Sequence, residues 1–255
     1  MNKRLLTGCV LLPMMALGNR AAAQALPADS SLLAEAVQYV RQHYSGKLGA
    51  SIALYNGPQY LSYVPPTNPT HPFFIDAKEV MGNVEYDGYY FADVPLLYDI
   101  RYDVLVTSNY GDATKFALVG EKVSRFTING RHFVRVVVPD TAASNNLRTG
   151  FYELLFANND KLQVLARRTK LSQKIVGREV TRIDFRNVDS YYLLKNGTYH
   201  PITSKSSVLA AFGDYRQELK NYIKEHNLKF NSQGRAIAAF HLAVYYTGLA
   251  KASAR

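Results

Sequence analysis

The chain of 255 residues has no tryptophan and a single cysteine, Cys9. Cys9 falls in a segment expected to be removed, so the mature protein has no thiol. That excludes disulfides, a cysteine nucleophile and cysteine-ligated zinc or iron–sulfur centres. No Gly-x-Ser-x-Gly elbow, phosphate-cradling glycine loop, dinucleotide fingerprint or kinase signature is present. The histidines (His43, His71, His132, His200, His226, His241) are scattered without ligand spacing. No metal, cofactor or catalytic residue is therefore expected. Apolar runs long enough to span a bilayer are also missing: Ala236 to Ala250 and the stretch near the start are both too short.

That stretch near the start has a different use. Asn2, Lys3 and Arg4 give a basic beginning, Leu5 to Gly18 is apolar, and Ala21-Ala22-Ala23 or Ala23-Gln24-Ala25 supplies the small-x-small cleavage pattern. Residues 1–23 read as a signal peptide and 24–255 as one exported domain, periplasmic or secreted. Leu6-Thr7-Gly8-Cys9 resembles a lipobox, but the apolar core follows the cysteine instead of preceding it, so lipid anchoring at Cys9 is not expected.

Without disulfides, burial alone must hold the domain together, and the 19 tyrosines and 12 phenylalanines suit half-buried sheet faces. Charge is divided unevenly. Losing Lys3, Arg4 and Arg20 lowers the formal net charge from +10 to +7. Residues 24–160 balance at −4 and residues 161–255 at +11. The asymmetry suits a basic surface for an anionic partner; compensation between packed halves is the plainer alternative.

Along the chain, Leu33, Ala36, Val37, Val40 and Tyr44 share one face of a helix over 30–45. Five prolines between Pro58 and Pro72 mark an irregular loop, either functional or wrapped over the core. Residues 50–202 read as an antiparallel sheet region, in which Gly82 to Ile202 show short strands joined by tight turns at Asp87-Gly88, Gly111, Asn129-Gly130, Asn158 to Asp160 and Asn196-Gly197. Pro139 to Gly150 reads as a long hairpin loop. The fold class is mainly β with helical ends: a curved antiparallel meander, forming an open barrel or sandwich. One helix stands at its amino end and about three cover residues 204–250. Ser204, Asp214 and Asn231 or Ser232 are the expected caps. The third helix reads as largely enclosed by protein, with His241 hydrogen-bonded in the core.

Tyr191 to Tyr199, Ser204 to Leu209 and Leu228-Lys229-Phe230 resemble the carboxyl-terminal part of an uncharacterised family of exported proteins from Bacteroidetes-type bacteria. Val84 to Gly88 and Val94 to Asp99 resemble its front half. The resemblance implies a Gram-negative envelope or secreted location and no known activity.

The candidate binding residues are Arg167, Arg168, Lys170, Lys174, Arg178, Arg182 and Arg186, all within twenty positions. If 178–186 is extended, Arg178, Arg182 and Arg186 share one side and Thr181, Ile183 and Phe185 the other. Anionic lipid, lipopolysaccharide phosphates or an acidic polymer suit such a stripe; a solvated strand face is the plain alternative. Nucleic acid is not expected as a partner. Three functions follow: a non-catalytic envelope protein that binds or scaffolds, a carrier of an apolar ligand in a sheet cavity, or a hydrolase whose site is not visible in sequence, using scattered carboxylates such as Asp87, Asp93, Asp99 and Asp103 or a hidden triad.

Overall fold

A computed structural model describes residues 54–108, 114–139, 147–158, 161–177 and 181–253. The segment expected to be a signal peptide, with Cys9, the helix expected over 30–45, and Arg178 lie outside the described residues.

The strands are β1 (Val80–Tyr86), β2 (Tyr89–Asp99), β3 (Val104–Ser108), β4 (Lys115–Ala117), β5 (Val123–Ile128), β6 (Arg131–Val136), β7 (Gly150–Asn158), β8 (Leu162–Arg167), β9 (Lys170–Val176), β10 (Thr181–Asn187), β11 (Ser190–Lys195) and β12 (Thr198–Pro201). Ten of them form one open antiparallel sheet in the order β12-β11-β8-β7-β6-β5-β1-β2-β3-β4, and among the described residues β9 and β10 pair only with each other. The expected mainly antiparallel β architecture is present.

The tight turns have a local cause. Asp87-Gly88, Asn129-Gly130 and Asn196-Gly197 all carry positive φ at both positions, the backbone that matches strand twist in two-residue hairpins. The meander is not simply sequential, however. After β4 the chain returns to the free edge of β1, where β5 pairs. The outer edge of β4 is already occupied: the Tyr60 N–H donates to the Lys115 carbonyl and the Ala117 N–H to the Pro58 carbonyl.

The sheet rolls. In the order β7-β6-β5-β1-β2, Phe151 and Tyr98 lie four strand spacings apart, about 19 Å in a flat sheet. Their ring centroids are 6.1 Å apart, and Tyr98 also meets Phe126 and Phe133 at 5.1 and 5.2 Å. Gly82 permits part of the bend, since a Cβ there would stand 2.2 Å from the Thr127 carbonyl oxygen on β5, beside a register shift in β1. Rings therefore fill the rolled face.

The register sets one row across that face: Phe91, Val84, Phe126, Phe133, Glu153, Ala166 and Tyr191. Phe133 belongs to the aromatic core of the rolled half, while Ala166 and Tyr191 belong to a second core beneath the helices. On β6, Arg131, Phe133 and Arg135 share this face and Val134 and Val136 the other. Both faces of β6 are covered, because Val134 and Val136 pack with Tyr152, Leu165 and Tyr192.

Three helices follow: α1 (Lys205–Phe212), α2 (Arg216–Glu225) and α3 (Arg235–Ser253). Ser204 and Ser207 form a capping box on α1. Leu219 and Ile223 bury one side of α2, each worth about 1.5–3 kcal/mol. Asp214 does not cap α2. Its N-cap is Tyr215 in a left-handed conformation, and the Asp214 carboxylate accepts instead from Lys195 and Tyr246. The Asn231 side chain accepts from the Gly234 N–H just ahead of α3. The enclosure expected for α3 is only half right. Ala238, Ala239, Leu242 and Ala243 are buried, but Ile237, Phe240 and Val244 are exposed. His241 is likewise exposed, its ring edge against Phe240, because it falls on the solvent side of the helix. Among the described residues no helix is long and apolar enough to cross a membrane.

Candidate anion-binding surface

The seven cations named from sequence divide into three groups. Arg167, Arg168 and Lys170 turn into the protein. Arg167 lies over the Tyr152 ring with Nη2 3.9 Å from Asp103 Oδ2. Arg168 donates to Glu153 Oε2 at 2.6 Å, to Asp189 and to the Tyr191 hydroxyl. Burial pulls its pKa down, but Glu153 and Asp189 outweigh that and hold it above the usual arginine value. The Lys170 ammonium donates to the carbonyls of His71 and Phe73, at 2.9 and 2.7 Å. Desolvation lowers its pKa, and the charge of Asp99 acts the other way. These three brace the fold.

Lys174, Arg182 and Arg186 form the second group. All are exposed on the β9–β10 hairpin and, among the described residues, none makes an ion pair. Arg178 is the third, outside the described residues. Opposite residues in an antiparallel pair share a face. Arg182 lies against Ile175 and Arg186 against Leu171, with Asp184 and Gln173 between them on that face. Lys174 lies on the other face, opposite Ile183. Arg182 and Arg186, four residues apart in an extended strand, sit about 13 Å from each other along the chain.

The proline-rich loop positions this hairpin. Asn68 donates from Nδ2 to the Ile183 carbonyl at 2.7 Å and accepts from the Ile183 N–H at 2.9 Å. Thr70 Oγ1 donates to the same carbonyl and accepts from the Phe185 N–H. The loop thus supplies side chains where a third strand would supply backbone. Its remaining length wraps the core, with Tyr60 and Phe73 against Leu97 and Val106 on the outer sheet face. Between loop and hairpin lies a groove of about 500 Å³, with Pro65, Pro69 and Ile175 as apolar walls and Arg182 as its one cation among the described residues.

Asn68 and Thr70 are the residues that sequence reasoning missed. The run of prolines signalled a loop, but nothing local links position 68 to position 183. Of the other polar groups considered, Asp99 and Asp103 are occupied, whereas the buried His71 Nδ1 has no hydrogen-bond partner among the described residues. Asp87 and Asp93 have the positive φ of a turn and a strand irregularity. Asp99 is fully buried and accepts from the Tyr60 and Tyr63 hydroxyls and the Arg101 and Tyr102 N–H groups. Asp103 accepts from the Tyr98 hydroxyl at 2.6 Å. Burial and the nearby Lys170 lower the pKa of His71, whose ring stacks on Phe73. No group of three or more histidine, cysteine or acidic side chains is placed to hold a metal among the described residues. Comparison with protein-family models, curated proteins and solved structures finds no match to this chain.

Proposed function

We propose that this is a non-catalytic exported protein of the cell envelope or its surroundings that binds or scaffolds through the basic β9–β10 hairpin. The observation carrying this reading is the contrast within one cationic run. Arg167, Arg168 and Lys170 have partners inside the fold, whereas Lys174, Arg182 and Arg186 face solvent with no ion pair among the described residues. On a braced two-stranded ribbon such cations, in excess over the one acid between them, suit an anionic partner held by salt-sensitive contacts. The signal-like start and the resemblance to an uncharacterised family of exported proteins support an envelope or secreted location. The aromatic packing of Tyr98, Phe126, Phe133 and Phe151 on the rolled face argues against a carrier holding its ligand there.

The test is a triple variant, Lys174→Gln, Arg182→Gln, Arg186→Gln, compared with the native protein for binding to phosphatidylglycerol vesicles and polyglutamate at low and physiological salt. The native protein is expected to bind at least one of them, and the variant to bind it about tenfold or more weakly. Equal binding by the variant, or no binding by the native protein, overturns the reading.

A further inference from the structure

Strand edges are sites where another chain can add, and proteins blunt or cover them. The two sheets end in four edges among the described residues. β4 is covered by the backbone of Pro58 and Tyr60. β10 is covered by Asn68 and Thr70. β12 has four residues and ends on Pro201, a residue with no N–H to offer. β9 differs from all three.

Backbone groups of alternate residues in an antiparallel strand point to opposite sides. Ile183 gives its N–H and its carbonyl to Asn68, so Arg182, Asp184 and Arg186 are the residues that bond to β9. In the register, those face Ile175, Gln173 and Leu171. Val188 donating to the Thr169 carbonyl continues the same phase. Ser172, Lys174 and Val176 must therefore present N–H and carbonyl groups outward. Lys170, in the same phase, donates to the Ile100 carbonyl at 3.4 Å. Beyond it, no backbone partner lies on that edge among the described residues.

We infer that β9 is a docking edge for an extended acidic segment of a partner polypeptide, which adds as a third strand to the hairpin. This rests on the basic-surface reading above and specifies its partner. Charge selects the occupant. β9 offers Lys174 and no acid, its other cation Lys170 being held by the His71 and Phe73 carbonyls, and Arg182 and Arg186 stand on the neighbouring strand on either side of Asp184. A second copy pairing β9 with β9 would bring these like charges together, whereas an acidic strand neutralises them. The exposed Leu171 and Val176, on opposite faces, offer apolar contact to the added strand's alternate side chains. Lys174 within the edge also discourages pairing with uncharged strands.

The probe is a synthetic peptide of about seven residues alternating glutamate and valine, long enough for one strand. It is compared with the same peptide N-methylated at every second residue, which keeps charge and removes backbone donors. The protein forms are native, Ser172→Pro, and Ser172→Ala; the last controls for the hydrogen bond from Arg101 Nε to Ser172 Oγ. Edge pairing predicts about tenfold weaker binding for the methylated peptide in one of its two methylation phases, and for Ser172→Pro, with Ser172→Ala close to native. Unchanged affinity for both methylated phases overturns the inference without requiring any variant to fold. If the triple glutamine variant still loses binding in that case, the basic-surface reading stands and the edge does not. If the triple variant binds like the native protein, both fall. Tight binding to phosphatidylglycerol vesicles with none to the peptide also overturns the edge inference.

Discussion

The carboxylate of Asp103 occupies the space where a side chain on Gly150 would begin: a Cβ on Gly150 would lie 2.1 Å from Asp103 Oδ2. The contact joins the β2–β3 turn to the start of β7 and helps hold the sheet in its rolled shape. There Asp103 also accepts from the Tyr98 hydroxyl and the Phe151 N–H. Gly150→Ala is expected to destabilise the protein by about 2–4 kcal/mol in urea unfolding, because the carboxylate must leave both donors. In an Asp103→Gly background the same change should cost at least ~1 kcal/mol less. Strict additivity of the two changes would disprove the coupling.

Asp103 also makes stability depend on pH. Burial raises its pKa above the ordinary carboxylate value, against the opposing effects of Tyr98, Arg167 and the Phe151 N–H. The folded state therefore holds the proton to higher pH than the unfolded chain does. Between the two pKa values stability falls as pH rises, and ionisation at neutral pH carries a cost. Asp103→Asn is expected to flatten that part of the stability curve, measured by urea unfolding at steps between about pH 4 and 7. An unchanged slope in the variant would refute the assignment.

Glu153 is the one charged residue in the cross-sheet row between the two cores, 2% exposed, with Arg131 on one oxygen and Arg168 on the other. Removing one member of such a buried set strands the others. Glu153→Ala is expected to cost about 3–5 kcal/mol, and Glu153→Leu with Arg168→Met distinctly less than Glu153→Ala alone. A loss below ~1 kcal/mol for Glu153→Ala would mean that the arginines find water instead.

Asn68 substitutes for a strand along β10. Asn68→Ala removes two reciprocal hydrogen bonds to Ile183, an expected loss of about 1–3 kcal/mol. Residue-resolved hydrogen exchange should show the Ile183 amide accelerating more than those of Arg182 and Asp184, which face β9. Uniform acceleration across the hairpin would show that the loop braces it by packing and not through these bonds.

Much of the sheet was legible locally. Asp87-Gly88, Asn129-Gly130 and Asn196-Gly197 name their own backbone conformation, because few residue pairs tolerate two positive φ values in succession. Alternation along 181–187 placed Arg182 and Arg186 on one face, and the register bears this out. The candidate site was legible only as a composition. Arg168 and Arg182 are the same residue type in the same basic run, yet one is held by Glu153 and Asp189 and the other faces a groove. Asp214 looked like a helix cap until Lys195 and Tyr246 claimed its carboxylate.

From the sequence alone came most of the strands but not β9, the turns at Asp87-Gly88, Asn129-Gly130 and Asn196-Gly197, the Ser204 cap and the excess of positive charge, since torsional preference, side-chain alternation and formal charge act within a few residues. Tertiary structure alone decided that β5 returns to β1, that Asn68 reaches Ile183, which arginines stay in water, and that among the described residues most of the edge of β9 has no backbone partner. Each of these depends on which distant backbone satisfies which hydrogen-bonding group, and that competition is settled only when the whole sheet has assembled.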